Sequence, residues 1–92
     1  MSYIILGESN TNPVAAEIFS ARKLGLSKPR LEISVKRERD GFADSIVLDW
    51  KDTRKLLNHY NADNVFYLSG KGLIAFYNNS GLVGVGLNGR IN

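Results

Sequence analysis

His59 is the single histidine of the chain, and cysteine does not occur. A zinc centre or a Ser-His-Asp arrangement needs several such groups gathered together, and His59 has neither a second histidine nor a serine beside it. The lack of cysteine removes disulfide scaffolds, thiolate-held zinc and thiol catalysis at once. Glu8, Glu17, Asp49 and Asp63 are the carboxylates from which an acid–base pair would be drawn, but no spacing singles out two of them. The expectation is a protein that is not an enzyme and that holds no metal and no cofactor.

Three glycine-containing stretches have the outline of phosphate-binding motifs. Gly84-Val85-Gly86-Leu87-Asn88-Gly89 matches the dinucleotide pattern G-x-G-x-x-G letter for letter. That chemistry requires the last glycine to open a helix inside a βαβ unit, and here the sequence given stops three residues later. Gly84 and Gly86 instead recur at the strand period, leaving one strand face bare for a close neighbour. Trp50 is the expected neighbour, with a subunit interface as the other option. Ser69-Gly70-Lys71-Gly72 lacks the Walker spacing and reads as a hairpin turn. The loop from Gly7 to Asn12 precedes an expected helix N-terminus, where free amides suit an anion, yet no Lys or Arg lies nearby in sequence.

The constellation with functional content is a basic hairpin. Between Arg22 and Arg39 lie seven basic residues and two acidic ones, a local +5 within a chain of net charge +3. Such an excess attracts phosphate or an acidic protein surface. Arg30, Lys36, Arg37 and Arg39 are the expected contacts, joined by Lys51, Arg54 and Lys55 on a helix edge. Single-strand binders add aromatic faces on which bases stack. Phe42 would supply one, together with whichever of Phe66, Tyr67, Phe76 and Tyr77 faces solvent. Tyr67 and Tyr77, each following a phenylalanine, are the two expected.

The elements that position these residues follow from patterning. Asn64 to Leu87 reads as three β-strands, over 65–68, 73–77 and 82–87, with Asn78-Asn79-Ser80-Gly81 as the second turn. Upstream, Tyr3 to Leu6 is a short strand. Asn12-Pro13 marks a helix start, and Val14, Ala15, Ile18, Phe19 and Ala21 define an apolar face for a helix running to about Leu24. Leu31, Ile33 and Val35 alternate with polar partners in a strand over 30–36, which returns after Asp40-Gly41 through Ser45 to Leu48. Asp49 caps a second helix from Trp50 to about Tyr60, with Asp52 at the capping-box position. Thr53, Leu56, Leu57 and Tyr60 share its inner face with Trp50, and Leu57 is the expected anchor. The predicted order β-α-β-β-α-β-β-β implies an α+β two-layer sandwich, a mostly antiparallel sheet of about six strands with two helices on one face.

Composition sets the outer bounds. With 92 residues, 43% apolar and 23% charged, the chain suits one small folded domain spanning 1–92. The start MSYIILGESN has no basic lead and only a short apolar run, which reads as cytoplasmic, with no membrane partner. The functional expectation is a small protein acting by protein–protein interaction, of regulator, inhibitor or adaptor type, through an aromatic sheet face and the basic hairpin. Self-association as a homodimer is the related outcome. The alternative is a protein that binds single-stranded DNA or RNA through hairpin 30–39 and exposed sheet aromatics.

Overall fold

The computed structural model describes residues 3–10 and 12–88. The elements are β1 (Tyr3–Gly7), β2 (Pro13–Leu24), β3 (Arg30–Arg37), β4 (Ala43–Leu48), α1 (Trp50–His59), a 3-10 turn (Val65–Leu68), β5 (Gly72–Asn78) and β6 (Gly81–Asn88). Neighbouring strands are all antiparallel, in the spatial order β1-β6-β5-β2-β3-β4. The α+β class and the sheet of six strands are as expected, but two segments have exchanged roles.

The first correction is the helix expected over 13–24, which is the long strand β2. Its buried positions Ala16 and Ile18 alternate at the strand period, and the register then slips between Ile18 and Ser20. Such a bulge inserts one residue and converts an i, i+2 step into i, i+3. Val14, Ile18 and Ala21 thereby acquire helical spacing while lying on one strand. Asn12 and Pro13 are consistent with a strand entrance too: the Asn10 side chain accepts the Asn12 amide at 3.0 Å, and Pro is tolerated as a first strand residue. The anion reading of the loop from Gly7 falls with the helix, since no helix N-terminus follows it; Thr11 lies outside the described residues.

The second correction is the strand expected over 65–68, which is the 3-10 turn. The Asn64 carboxamide oxygen accepts the Phe66 amide at 2.8 Å and caps it, while Leu68 is fully buried. Ser69 to Gly72 is accordingly no hairpin turn. Gly70 donates to the Ile18 carbonyl at 2.7 Å and Lys71 accepts from the Ile18 amide at 2.8 Å, which docks this segment on β2 at its bulge.

Among the described residues a single α-helix therefore replaces the expected two, and it covers an end of the sheet instead of sharing a face. The sheet rolls over far enough for β4 and β6, well separated in strand order, to touch. Asp44 Oδ2 of β4 accepts the Leu82 amide of β6 at 3.2 Å across the seam between them, and Asp52 Oδ2 of α1 accepts the Gly7 amide of β1 at 3.1 Å. Inside lie Leu6, Ala16, Ile18, Leu31, Ile33, Val35, Leu48, Leu73, Ala75, Val85 and Leu87. Helix α1 leaves the end of β4 and reaches the start of β5, where the Tyr60 hydroxyl donates to the Gly72 carbonyl at 2.5 Å. Its buried Thr53 and Leu56, with Leu68 of the 3-10 turn, close that end of the roll. Asp49 caps α1 as expected, accepting the Asp52 amide at 2.8 Å.

The bare strip on β6 is used by a neighbour other than Trp50. A Cβ on Gly84 would lie 1.9 Å from the Glu8 carbonyl oxygen, because the connection from β1 to β2 crosses the outer face there. Glu8 donates to the Val83 carbonyl at 3.0 Å, and the Asn10 side chain donates to the Tyr77 carbonyl. Phe76, paired with Gly84, is buried beside this crossing.

Burial pushes the Tyr60 phenol up to about 12 from an ordinary value of 10.0. Since the folded chain holds this proton more tightly, stability is complete below about pH 10 and is lost as pH rises toward 12. Tyr60→Phe is expected to flatten that alkaline decline and, by losing a hydrogen bond, to cost about 1 kcal/mol near neutrality. Urea midpoints of both proteins across this pH range check it; identical slopes would contradict the assignment.

Candidate functional site

The residues expected to form one cationic surface are divided between opposite ends of the β3–β4 hairpin. Lys36 pairs with Ala43 at the tip, and Leu31 pairs with Leu48 at the end where α1 begins. The intervening stretch of β4 spans about 17 Å at roughly 3.4 Å per residue. Lys36, Arg37, Arg39 and Phe42 thus cluster at the tip, whereas Arg30 lies at the helix end of β3, with Lys51, Arg54 and Lys55 on α1 itself.

At the tip, Arg37 is engaged internally. Its guanidinium forks onto Asp40, with Nε 3.1 Å from Oδ1 and Nη2 2.8 Å from Oδ2. It also lies 4.6 Å from the centre of the Phe42 ring and 5.2 Å from that of Tyr77. The Phe42 amide donates to Asp40 Oδ1 at 3.0 Å. That amide above all, aided by Arg37 and Arg39, holds the Asp40 carboxyl below the usual carboxylate range. Arg37, Asp40, Phe42 and Tyr77 therefore form a closed staple that fixes the tip. Arg39 remains exposed, with its Nε 4.0 Å from Asp40.

The aromatics are distributed differently from the expected sheet face. Tyr77 is half-buried; its hydroxyl is shielded from solvent without a hydrogen-bond partner, and burial raises its pKa. It is no exposed stacking platform. Phe76 is buried. Tyr67 faces solvent, as expected, at 60% exposure, and its neighbour Phe66 reaches 82%. The third member is Phe19 on the β2 bulge, 57% exposed, which helical spacing had assigned to an apolar core face. Ser69 Oγ donates to the Phe19 carbonyl at 3.3 Å, so the 3-10 turn abuts the bulge, and the three exposed rings belong to these two adjoining segments. The Lys36 ammonium stands 5.6 Å from the Phe19 ring centre, tying one hairpin cation to this patch.

On α1, Lys51, Arg54, Lys55, Trp50 and Asn58 line a shallow open cleft of about 270 Å³. The Arg54 guanidinium lies 5.6 Å from the Trp50 ring centre. Lys55 has its ammonium 4.0 Å from Asp52, whose other oxygen accepts the Gly7 amide of β1. Asn58 was not among the expected contacts, but its i, i+4 relation to Arg54 was visible in the sequence.

His59 packs edge-on against Tyr60 with ring centres 4.8 Å apart. Among the described residues, no three His, Asp or Glu side chains gather as a metal ion would require. The glycine pattern from Gly84 lies within β6 up to Asn88, and its last member, Gly89, is outside the described residues. No described helix is long and apolar enough to cross a membrane. No family model matches the chain, and no curated protein or solved structure matches it either.

Proposed function

We propose that this chain is a non-enzymatic cytoplasmic binding protein, of regulator, inhibitor or adaptor type, that acts by contact with another protein or a second copy of itself. The surface is the aromatic patch of Phe19, Phe66 and Tyr67, flanked by Lys36. The supporting observation is that Phe66 and Tyr67 stand 82% and 60% exposed on a turn whose backbone is fixed at both ends. Asn64 caps that turn, and Leu68 anchors it in the core. Aromatic rings held out rigidly lose little side-chain freedom when a partner covers them, which is the character of interface hot spots. Water is a poor neighbour for so much apolar area in one place. The hairpin contributes Lys36 at the margin, while Arg37 stays committed to Asp40 and Arg39 stands exposed at the tip.

Single-stranded nucleic acid at hairpin 30–39 is less well supported, because Arg37 is held by Asp40 and Tyr77 is half-buried, which leaves Phe42, 53% exposed beneath Arg37, as the exposed ring near Arg39. The test pairs Phe66→Ala with Tyr67→Ala. Both side chains are exposed, so the double variant should keep its thermal midpoint. A photocrosslinker at position 67 of the otherwise native chain should trap a protein in defined stoichiometry, either a partner or a second copy. Binding of that species should weaken at least tenfold in the double variant, since each hot-spot ring contributes about 2 kcal/mol or more. Unchanged affinity would remove the patch from the site.

A further inference from the structure

The outer face of α1 carries a second site, separate from the aromatic patch. We propose that it binds a short segment of single-stranded nucleic acid, with a base stacked at Trp50 and its flanking phosphates held by Lys51, Arg54 and Lys55. The cleft lining contains three cations, one indole and one carboxamide, and no carboxylate. Of the nearby acids, Asp49 accepts the Asp52 amide, while Asp52 accepts the Gly7 amide and lies 4.0 Å from the Lys55 ammonium, so Lys51 and Arg54, unpaired among the described residues, carry most of the positive charge of the lining. The charge of the lining is therefore complementary to an anion.

Its shape and aromatic component narrow the class. At about 270 Å³ and open to solvent, the cleft is below the usual range for enclosing a free small molecule, so it suits one part of a longer chain laid across it. Phosphate alone would leave the indole without a role, and an acidic peptide offers carboxylates but no flat face. A nucleotide supplies both. The Arg54 guanidinium beside the indole combines planar stacking with bidentate phosphate recognition. A duplex keeps its bases inside the stack, whereas a single strand presents them to an aromatic side chain. The cations at positions 51, 54 and 55 lie on adjoining turns of a helix whose other side is fixed by buried Thr53 and Leu56. The ledge is thus rigid before the ligand arrives.

Trp50 is the only tryptophan, so its fluorescence reports the site directly. Titration of the full chain with a short oligodeoxythymidine is expected to quench that emission. With three phosphates neutralised at about 0.7 per phosphate, affinity should fall roughly 15- to 20-fold between about 50 and about 200 mM salt. Lys51→Ala with Lys55→Ala, both exposed, should retain the fold by circular dichroism and weaken binding at least tenfold at the lower salt. The double variant at Phe66 and Tyr67 should bind the oligonucleotide as the native chain does, which separates this site from the patch. No quenching at the lower salt would overturn the proposal. So would salt-independent quenching, unchanged binding in the lysine variant, or loss of binding in the aromatic one. Polyglutamate of equal charge that displaces the oligonucleotide at the same midpoint would show a site for acidic peptides instead, and would also overturn it.

Discussion

Gly84→Ala is expected to lower the thermal midpoint by about 12–24 °C, the consequence of roughly 3 kcal/mol at about 4–8 °C per kcal/mol in a domain of this size. The added Cβ would lie 1.9 Å from the Glu8 carbonyl oxygen and 2.6 Å from its nitrogen. Both atoms belong to backbone, and the Glu8 amide is bonded to Val83 on the same strand as the glycine. Neither can swing aside as the end of a side chain would, so the crossing must lift off the sheet. Gly72→Ala is the matched control, because its Cβ would meet nothing within 4 Å. That variant should melt close to the native chain or slightly above it. If calorimetry places both variants together, the crossing does not press on β6 as described.

Leu56→Ala should cost about 2–5 kcal/mol, the range for truncating a fully buried leucine. The side chain has no exposed surface and plugs the end of the roll beside Thr53 and Leu68. Its neighbour Leu57, the anchor suggested by helical spacing, is only half-buried and should lose less, about 1 kcal/mol. Urea unfolding of the two variants distinguishes them. A larger loss at Leu57 would mean that the helix is rotated from the orientation described.

These two positions also show how far the sequence could be read. Helix α1 was legible because an Asp cap and an amphipathic face agreed, whereas Asp52, expected at the capping-box position, turns its carboxylate to the Gly7 amide instead, and the choice between adjacent leucines was open. Strand β3 was legible from clean alternation, and β4 as the apolar run Ile46 to Leu48 returning after the Asp40-Gly41 turn. β2 was not, because one extra residue at its bulge shifts the phase of the apolar positions and imitates a helix. The 3-10 turn was hidden for the opposite reason: Val65 to Leu68 has every residue type of a strand, and only Asn64 before it signals a cap. The bare strip of β6 was legible as a close approach, but not its occupant, since crossing connections leave no periodic trace.

For the candidate sites, residue types were readable and their grouping was not. The cations of the hairpin and of α1 were all visible, yet nothing in their spacing says that β3 and β4 hold them at opposite ends. Arg37 looked as free as Arg39 because Asp40 follows both closely in sequence and only the turn geometry decides that Arg37 takes the two-bond fork, while its contact with Tyr77 of β5 depends on the rolled sheet. Phe19 was lost with the misread segment, and with it the aromatic patch.

The pairing of β1 with β6 joins opposite ends of the described chain, Tyr3 against Asn88. During synthesis the β2–β3–β4 hairpins can assemble from local contacts, while β1 must wait until nearly every other element has left the ribosome. Through that interval Leu6 has no partner strand, and the interior stays open along the side that β6 will fill. The nascent protein is therefore most vulnerable to misassociation just before β6 emerges, and a chain truncated within β6 should be a client for chaperones where the 92-residue chain is not.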